Sequence, residues 1–250
     1  MRPKLRNTEA ITIPSGKTVT LDLNGHKLSN AAGQHTIVNN GTLTVIGNGT
    51  VDNNSNGKGA LYNNGTATVN GGTFTHSNRG SVLYNLGTMT INDGVFTGAI
   101  SKTGGEISVI VGTFSDPSVL NYVTDYQLIR LASEDVMTLK TDERLEITGE
   151  LQVCGSLKIS GKGTLAVIGL VFVFNSSKDI DLDISELNGL SIGGEGRGPI
   201  ILENGAKLKS NPNWKGQPSP AIWGVDDHND SEPERASYDA SNSVYSYTAK

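Results

Sequence analysis

Few residues in this chain have a type and spacing that could do chemistry. The segment "KDIDLDISE" puts Asp179, Asp181 and Asp183 at alternate positions, so an extended backbone would set three carboxyls on one face. A glycosidase needs two carboxyl groups about 5–10 Å apart, flanking the scissile bond. The same alternation, with Ile180, Leu182 and Ile184 pointing inward, is what any half-buried strand shows, and we read the three aspartates as solvating its outside. "WGVDDHND" carries Asp226, Asp227 and Asp230, hard oxygen donors of the kind Ca²⁺ takes. It lies in a Pro/Ser-rich stretch away from any strand run, and reads as a solvated acidic loop. No Gly-Gly-x-Gly-x-Asp repeat, nucleophile motif, phosphate loop or metal-ligand spacing stands out. Cys154 is the only cysteine, which excludes an intrachain disulfide and a cysteine-rich zinc site. No catalytic, cofactor-binding or metal-binding residue is therefore expected, and the chain reads as non-enzymatic.

The elements that would position any site are legible from composition. The 250 residues include 31 Gly and only 18% charged residues, with many Asn and Thr, which suits turns and strands better than helices. With 20 Lys and Arg against 25 Asp and Glu, the net charge is −5, so the basic footprint of a nucleic-acid binder is missing. The most apolar run, "LAVIGLVFVF" (165–174), is too short to span a bilayer. The opening "MRPKLRNTEA" has no apolar core of a secretory signal, so the chain is expected to be made and kept in a cytosol.

The strongest pattern is repetition. "GTLTVIGNGTV", "GTATVNGGTFT", "GTMTINDGVFT" and "GEISVIVGTFS" begin at Gly41, Gly65, Gly87 and Gly105, offsets of 24, 22 and 18 residues. Alternation puts Leu43 and Val45 on one strand face, matched by Ala67 and Val69, Met89 and Ile91, and Ile107 and Val109, with Val19 and Leu21 extending the column backwards. The segments before the glycines align Tyr62 with Tyr84 and Asn39 with Asn63 and Asn85, and Phe74, Phe96 and Phe114 form a further column. Units this short cannot bury an apolar face alone and must stack. The expected fold is all-β, a single-stranded parallel β-helix (solenoid); a β-propeller would need blades of about 40–45 residues.

The expected organisation is an N-terminal arm (1–10), β-helix repeats (11–116), a short helix/hairpin interruption (117–144), a second β-helix section (145–210) and an irregular Pro/Ser/Asp-rich tail (211–250). "SDPSVLNYV" offers Ser115 or Asp116 as N-cap with Pro117 at the first helical position. "YQLIRL" and "VMTLK" read as a hairpin. In the tail, "SVYSYTAK" sets Tyr245 and Tyr247 on one face, as a strand docking on its own last coil or on a partner's would.

"LDLNGHKL", "GTLTVIGNGTV", "GGTFT" and "GTFSDPSVLNYV" together resemble the pectate-lyase-like, right-handed parallel β-helix repeats of gut Firmicutes surface proteins and of structural proteins of their phages. The resemblance covers roughly residues 11–125 and implies an adhesive or structural scaffold, often one without known enzymatic activity. "NGHKL" is similar to the Gly-His-Gly element of polygalacturonase-like enzymes, but Lys27 replaces the second glycine and the companion motifs are absent, so His26 reads as a corner residue. "WGVDDHND" is superficially similar to a Trp-Ile-Asp-His segment of pectate lyases. Thr18, Thr42, Thr66 and Thr88 beside Thr20, Thr44, Thr68 and Thr90 make a two-wide array similar to that of ice-binding β-helices, ended by Glu106 and Ser108.

The expectation is thus a virion structural protein, a capsid decoration or fibre-like β-helix, docked on a virion scaffold, with glycans as a further partner class and a homo-oligomeric state. The alternatives are a bacterial cell-surface adhesin and, lower, a polysaccharide lyase or hydrolase or an ice-binding protein. No cofactor is expected.

Overall fold

The structure, a computed structural model, describes residues 5–7, 9–78, 80–123, 125–132, 134–192, 199–214, 222–226 and 233–249. Their regular structure is all strand apart from two 3-10 turns, Pro117–Asn121 and Pro212–Trp214. The strands stack mainly in parallel as coils of a β-solenoid. No helix among the described residues is long and apolar enough to cross a membrane. The chain divides into two compact units, residues 1–127 and 128–250.

Each coil of the first unit runs through three sheets. The first holds Leu5–Asn7, Lys27–Asn30, Thr50–Asn53 and the C-terminal halves of the long strands Thr66–His76, Thr88–Thr97 and Glu106–Phe114. The second stacks Ile11–Ile13, Ile37–Asn39, Leu61–Asn63, Ser81–Asn85 and Ala99–Lys102. The third stacks Thr18–Asp22, Thr42–Ile46 and the N-terminal halves of the long strands. Leu5–Asn7, expected to be an arm, is thus a strand of the first coil.

The columns read from the sequence are in register. Val19, Leu43, Ala67, Met89 and Ile107 pair in turn, as do Leu21, Val45, Val69, Ile91 and Val109. From Leu43 onward all are buried. Val19, however, is 38% exposed, and Leu21 is only half-buried, because no described strand covers the first coil. Phe74, Phe96 and Phe114 stack with ring centroids 5.1 and 5.0 Å apart and planes 13° from parallel.

At the corner between the second and third sheets two columns lock successive coils together. Buried Asn39 donates through Nδ2 to Asn63 Oδ1 (2.7 Å), and Asn63 to Asn85 Oδ1 (2.8 Å). The same amides also donate to backbone carbonyls, including Thr66 O and Thr88 O. Two residues on from each Asn sits a glycine. A Cβ on Gly65 would lie 2.1 Å from Gly41 O, and one on Gly87 would lie 2.0 Å from Gly65 O. Only a residue without a side chain lets the backbones approach so closely. After the first coil, where it holds residues 14–17, this corner stays at two or three residues, 40–41, 64–65, 86–87 and 103–105, whereas the corner between the first and second sheets shrinks from 31–36 and 54–60 to 77–80 and then to Gly98 alone. The unequal repeat offsets are therefore absorbed largely at one corner.

Asp116 caps the turn Pro117–Asn121, its Oδ1 accepting from Ser118 N at 2.8 Å, as the sequence suggested for a short helix; the turn is 3-10 in form. The expected hairpin is absent. Residues 128–131 and strand Asp135–Leu139 pair in parallel with Glu150–Val153 and Leu157–Gly161, in two different sheets of the second unit. Alternation is the same in a hairpin and in two sides of a coil, and the parallel partners lie about twenty residues downstream. The second unit thus begins as solenoid well before residue 145. Its first sheet continues through Leu170–Val173, Ile200–Glu203 and Ile222–Val225, and Ile129, Leu151, Val171, Ile200 and Ile222 make a buried column. A third side stacks Arg144–Ile147, Thr164–Val167 and Gly189–Ser191.

The tail expected to be irregular supplies a coil strand, Ile222–Val225, and then a cap. Val244–Ser246 lies antiparallel on Lys207–Lys209, Ser237–Asp239 lies antiparallel on Val244–Ser246, and Glu234–Arg235 lies antiparallel on Ile222–Val225. Tyr245 continues the buried column of Leu157, Leu182 and Leu208. Tyr247 sits over Gly224, where a Cβ would meet its ring at 1.9 Å. Of the two docking modes the sequence left open, the strand takes its own last coil.

Two stability measurements check these columns. Asn63→Leu is expected to cost roughly 2–3 kcal/mol in chemical denaturation, because it strands Asn39, Asn85 and the backbone carbonyls Asn63 serves, while Asn64→Leu on the exposed side changes stability by under about 0.5 kcal/mol. The Tyr245 hydroxyl is buried with no hydrogen-bond partner among the described residues. Tyr245→Phe is therefore expected to raise stability by about 1 kcal/mol, while Tyr245→Ala, which opens the cap, costs about 3–5 kcal/mol.

Candidate functional site

The three aspartates of "KDIDLDISE" do not share a face. The only strand in this segment is Leu182–Asp183, so the alternation that would have aligned them is broken before it begins. Asp181 is 0% exposed and accepts from the backbone N–H of Ser176 and of Lys207 (both 2.8 Å) and from the Ser176 hydroxyl. It ties a bend to the next coil. Asp183 accepts from Ser185 N (3.0 Å) and Ser185 Oγ (2.6 Å), closing a turn. Asp179 alone is exposed.

The other sequence candidates are also separate. His26 is exposed in the turn after Asn24 and Gly25, which both adopt positive φ, and its N–H donates to Leu23 O (2.7 Å), consistent with a corner residue. Asp226 Oδ1 accepts from the Tyr247 hydroxyl at 3.1 Å, serving the cap; Asp227 and Asp230 lie outside the described residues. Among the described residues no group of three His, Cys, Asp or Glu side chains could hold a metal ion. Burial pushes the Cys154 thiol above its ordinary pKa, which leaves it a poor nucleophile. The threonine columns are in register over four coils and end where Glu106 pairs with Thr88 and Ser108 with Thr90.

Two polar clusters escaped the sequence reading. Asp52 is buried and accepts from Lys27 Nζ (2.8 Å), Thr75 Oγ1 (2.7 Å) and Ser77 Oγ (2.7 Å). Burial alone would raise its carboxyl, but the hydrogen bonds from Lys27, Thr75 and Ser77 outweigh it and hold the carboxyl below its ordinary pKa. Beside it, Asn30, Asn53 and His76 pair in register as a second buried polar column. His76 Nδ1 accepts from Gly80 N (2.8 Å), so Nε2 carries the proton and donates to Ser55 O (3.2 Å). The signal was the shared spacing of these residues behind each repeat, hidden because Asn and His are not the same letter.

The second cluster lines a groove of about 470 Å³ in the second unit, between the last coil and the cap. Lys207 and Lys209, two apart on one strand, point out of the sheet into it. Asp179, Asp239, Asn242 and Ser246 complete its polar wall. Neither lysine has an ion-pair partner within 4.0 Å among the described residues. Asp239 accepts from Asn242 Nδ2 (2.8 Å) and Ser241 N (2.9 Å), and these bonds hold its carboxyl below the usual value, ionised and able to accept further hydroxyl donors. Two free ammonium groups beside hydrogen-bond acceptors suit a ligand that carries both an anion and hydroxyls.

Fold and groove together define a β-solenoid with a polar groove. Comparison with protein-family models, with curated proteins and with solved structures finds no match to this chain.

The Asp52 network generates a pH test. A carboxyl whose folded pKa lies below its unfolded value of 3.8 supplies stability that is full above that value and lost as pH falls through the folded one. The melting-temperature advantage of the wild type over Asp52→Asn is therefore expected at pH 7 and to shrink steadily below about pH 4.

Proposed function

We propose that this chain is a non-enzymatic structural protein, a β-solenoid carried on a virion as a decoration or fibre, whose groove at Lys207 and Lys209 engages an anionic, hydroxyl-rich glycan. One observation carries the non-enzymatic reading: the carboxylates best placed by sequence for catalysis are committed to the fold, Asp181 buried against two backbone N–H groups and Asp183 closing a turn. The resemblance of residues 11–125 to phage structural and Firmicutes surface repeats supports the scaffold role. A solenoid with a binding groove would equally serve a bacterial cell-surface adhesin, and the genes flanking this one distinguish the two: capsid and tail genes support the virion reading, and a cell-wall anchoring signal overturns it.

The biochemical test is a panel of neutral and anionic oligosaccharides, with and without Ca²⁺. Saturable binding of anionic members, weakened about tenfold or more by Lys207→Gln/Lys209→Gln, with the saccharides recovered intact, is the expected result. Released reducing ends or unsaturated products would overturn the non-enzymatic reading.

A further inference from the structure

The groove beside the cap carries charges of both signs that do not meet. Lys207, exposed, and Lys209, half-buried, occupy its middle on strand Lys207–Lys209. Val244 pairs with Lys209 on one side and with Asp239 on the other, so Asp239 stands two strands from Lys209, about 10 Å between Cα atoms. Asn242 Nδ2 (2.8 Å) and Ser241 N (2.9 Å) donate to its carboxylate, which keeps it from swinging across to the lysines. On the opposite flank lies exposed Asp179, two residues before Asp181, whose Oδ2 accepts from Lys207 N (2.8 Å). Among the described residues no ion pair within 4.0 Å joins any of these four groups. Across the groove the order is carboxylate, two ammoniums, carboxylate, beside apolar Ile180 and Val244. A purely anionic ligand would satisfy the lysines and set its remaining charge against Asp179 and Asp239. A neutral sugar would desolvate four charges and pair with none of them.

We propose that the groove selects a zwitterionic glycan, in which an anion resting on Lys207 and Lys209 is flanked by protonated amines that reach Asp179 and Asp239. This selection rests on the glycan reading of the same groove and narrows its ligand from anionic to mixed charge. Each ligand charge then meets its opposite, in charge-assisted hydrogen bonds that are about twice as strong as neutral ones. Asp239 has capacity for the amine: a carboxylate offers about four acceptor sites, and Asn242 and Ser241 do not fill them. Its two hydrogen bonds also hold it below the ordinary carboxylate pKa, so it stays charged in mildly acidic solution. Ser246, the register mate of Lys207, and Asn242 are left to meet the sugar hydroxyls between the charged groups.

The test is isothermal titration calorimetry of the full chain at about pH 6, where a sugar amine is protonated, against two matched trisaccharides. Both carry glucuronate between two glucosamines; one has free amines and the other has them N-acetylated. The free-amine form is expected to bind about tenfold tighter. Asp179→Asn, which leaves the cap's hydrogen bonds untouched, should cut that preference about threefold, and Asp179→Asn/Asp239→Asn should erase it. Both variants should bind the acetylated form at least as well as the wild type does, because a repulsion on its anion is gone; that binding also shows the groove to be intact. Lys207→Gln/Lys209→Gln should weaken both forms. Equal binding of the two forms by the wild type, or binding of neither while another anionic saccharide binds, overturns the zwitterion proposal and leaves the glycan reading standing. No saturable binding of any anionic saccharide overturns the glycan reading itself. A preference undiminished by the aspartate substitutions overturns the assignment of the amines to Asp179 and Asp239.

Discussion

In the first unit backbone packs on backbone where Gly41, Gly65, Gly87 and Gly105 pile up at one corner, with no room for a methyl group between them. That constraint sets the rest. It fixes the height of each coil at the corner where the Asn39, Asn63 and Asn85 amides join, and from there the register of the Thr-x-Thr strand that follows. With the register set, apolar residues land on apolar residues through Ile107 and Val109, and the three phenylalanine rings stack nearly parallel. Burial then supplies the stabilisation, but it is the corner that decides which residue meets which.

The first unit was readable from sequence because its coils repeat the same letters at the same corner. Gly-Thr-x-Thr gave the strand, the preceding Asn gave the ladder, and both are where the repetition placed them. The second unit has the same architecture without the same letters. Its buried column mixes Ile, Leu and Val, and its partners lie a coil away in sequence, so local alternation in "YQLIRL" and "VMTLK" suggested a hairpin where there are two sides of one coil. "KDIDLDISE" misled for a related reason: alternation was read as a strand, whereas most of the segment bends and Asp181 turns inward to serve backbone N–H groups. The groove could not be read at all, because Lys207 and Lys209 meet Asp239 and Asn242 only through the antiparallel return of the final strand. Antiparallel closure leaves no repeat to see.

Most polar side chains with several hydrogen bonds in this protein work for the fold. Asp52 gathers Lys27, Thr75 and Ser77 from neighbouring coils; Asn53 and His76 hold loops; Asp181 and Asp183 close a bend and a turn. A solenoid has many corners, and each exposes N–H and C=O groups that some side chain must satisfy. The lysines of the groove, Lys207 and Lys209, have no ion-pair partner among the described residues.

The variable corner of the first unit has a consequence for how such a chain can change. Residues 31–36, 54–60, 77–80 and Gly98 join the same two sheets in successive coils at four different lengths, while the strands on either side stay paired, with one register slip between Ser81 and Leu83. The structure therefore separates a corner whose length varies widely from the glycine corner, which after the first coil stays within two or three residues. Several residues added between the first two sheets would emerge as a longer surface loop on an unchanged stack. Descendants of this sequence are free to diversify at that seam, and a foreign peptide grafted there would be displayed without asking the core to adjust.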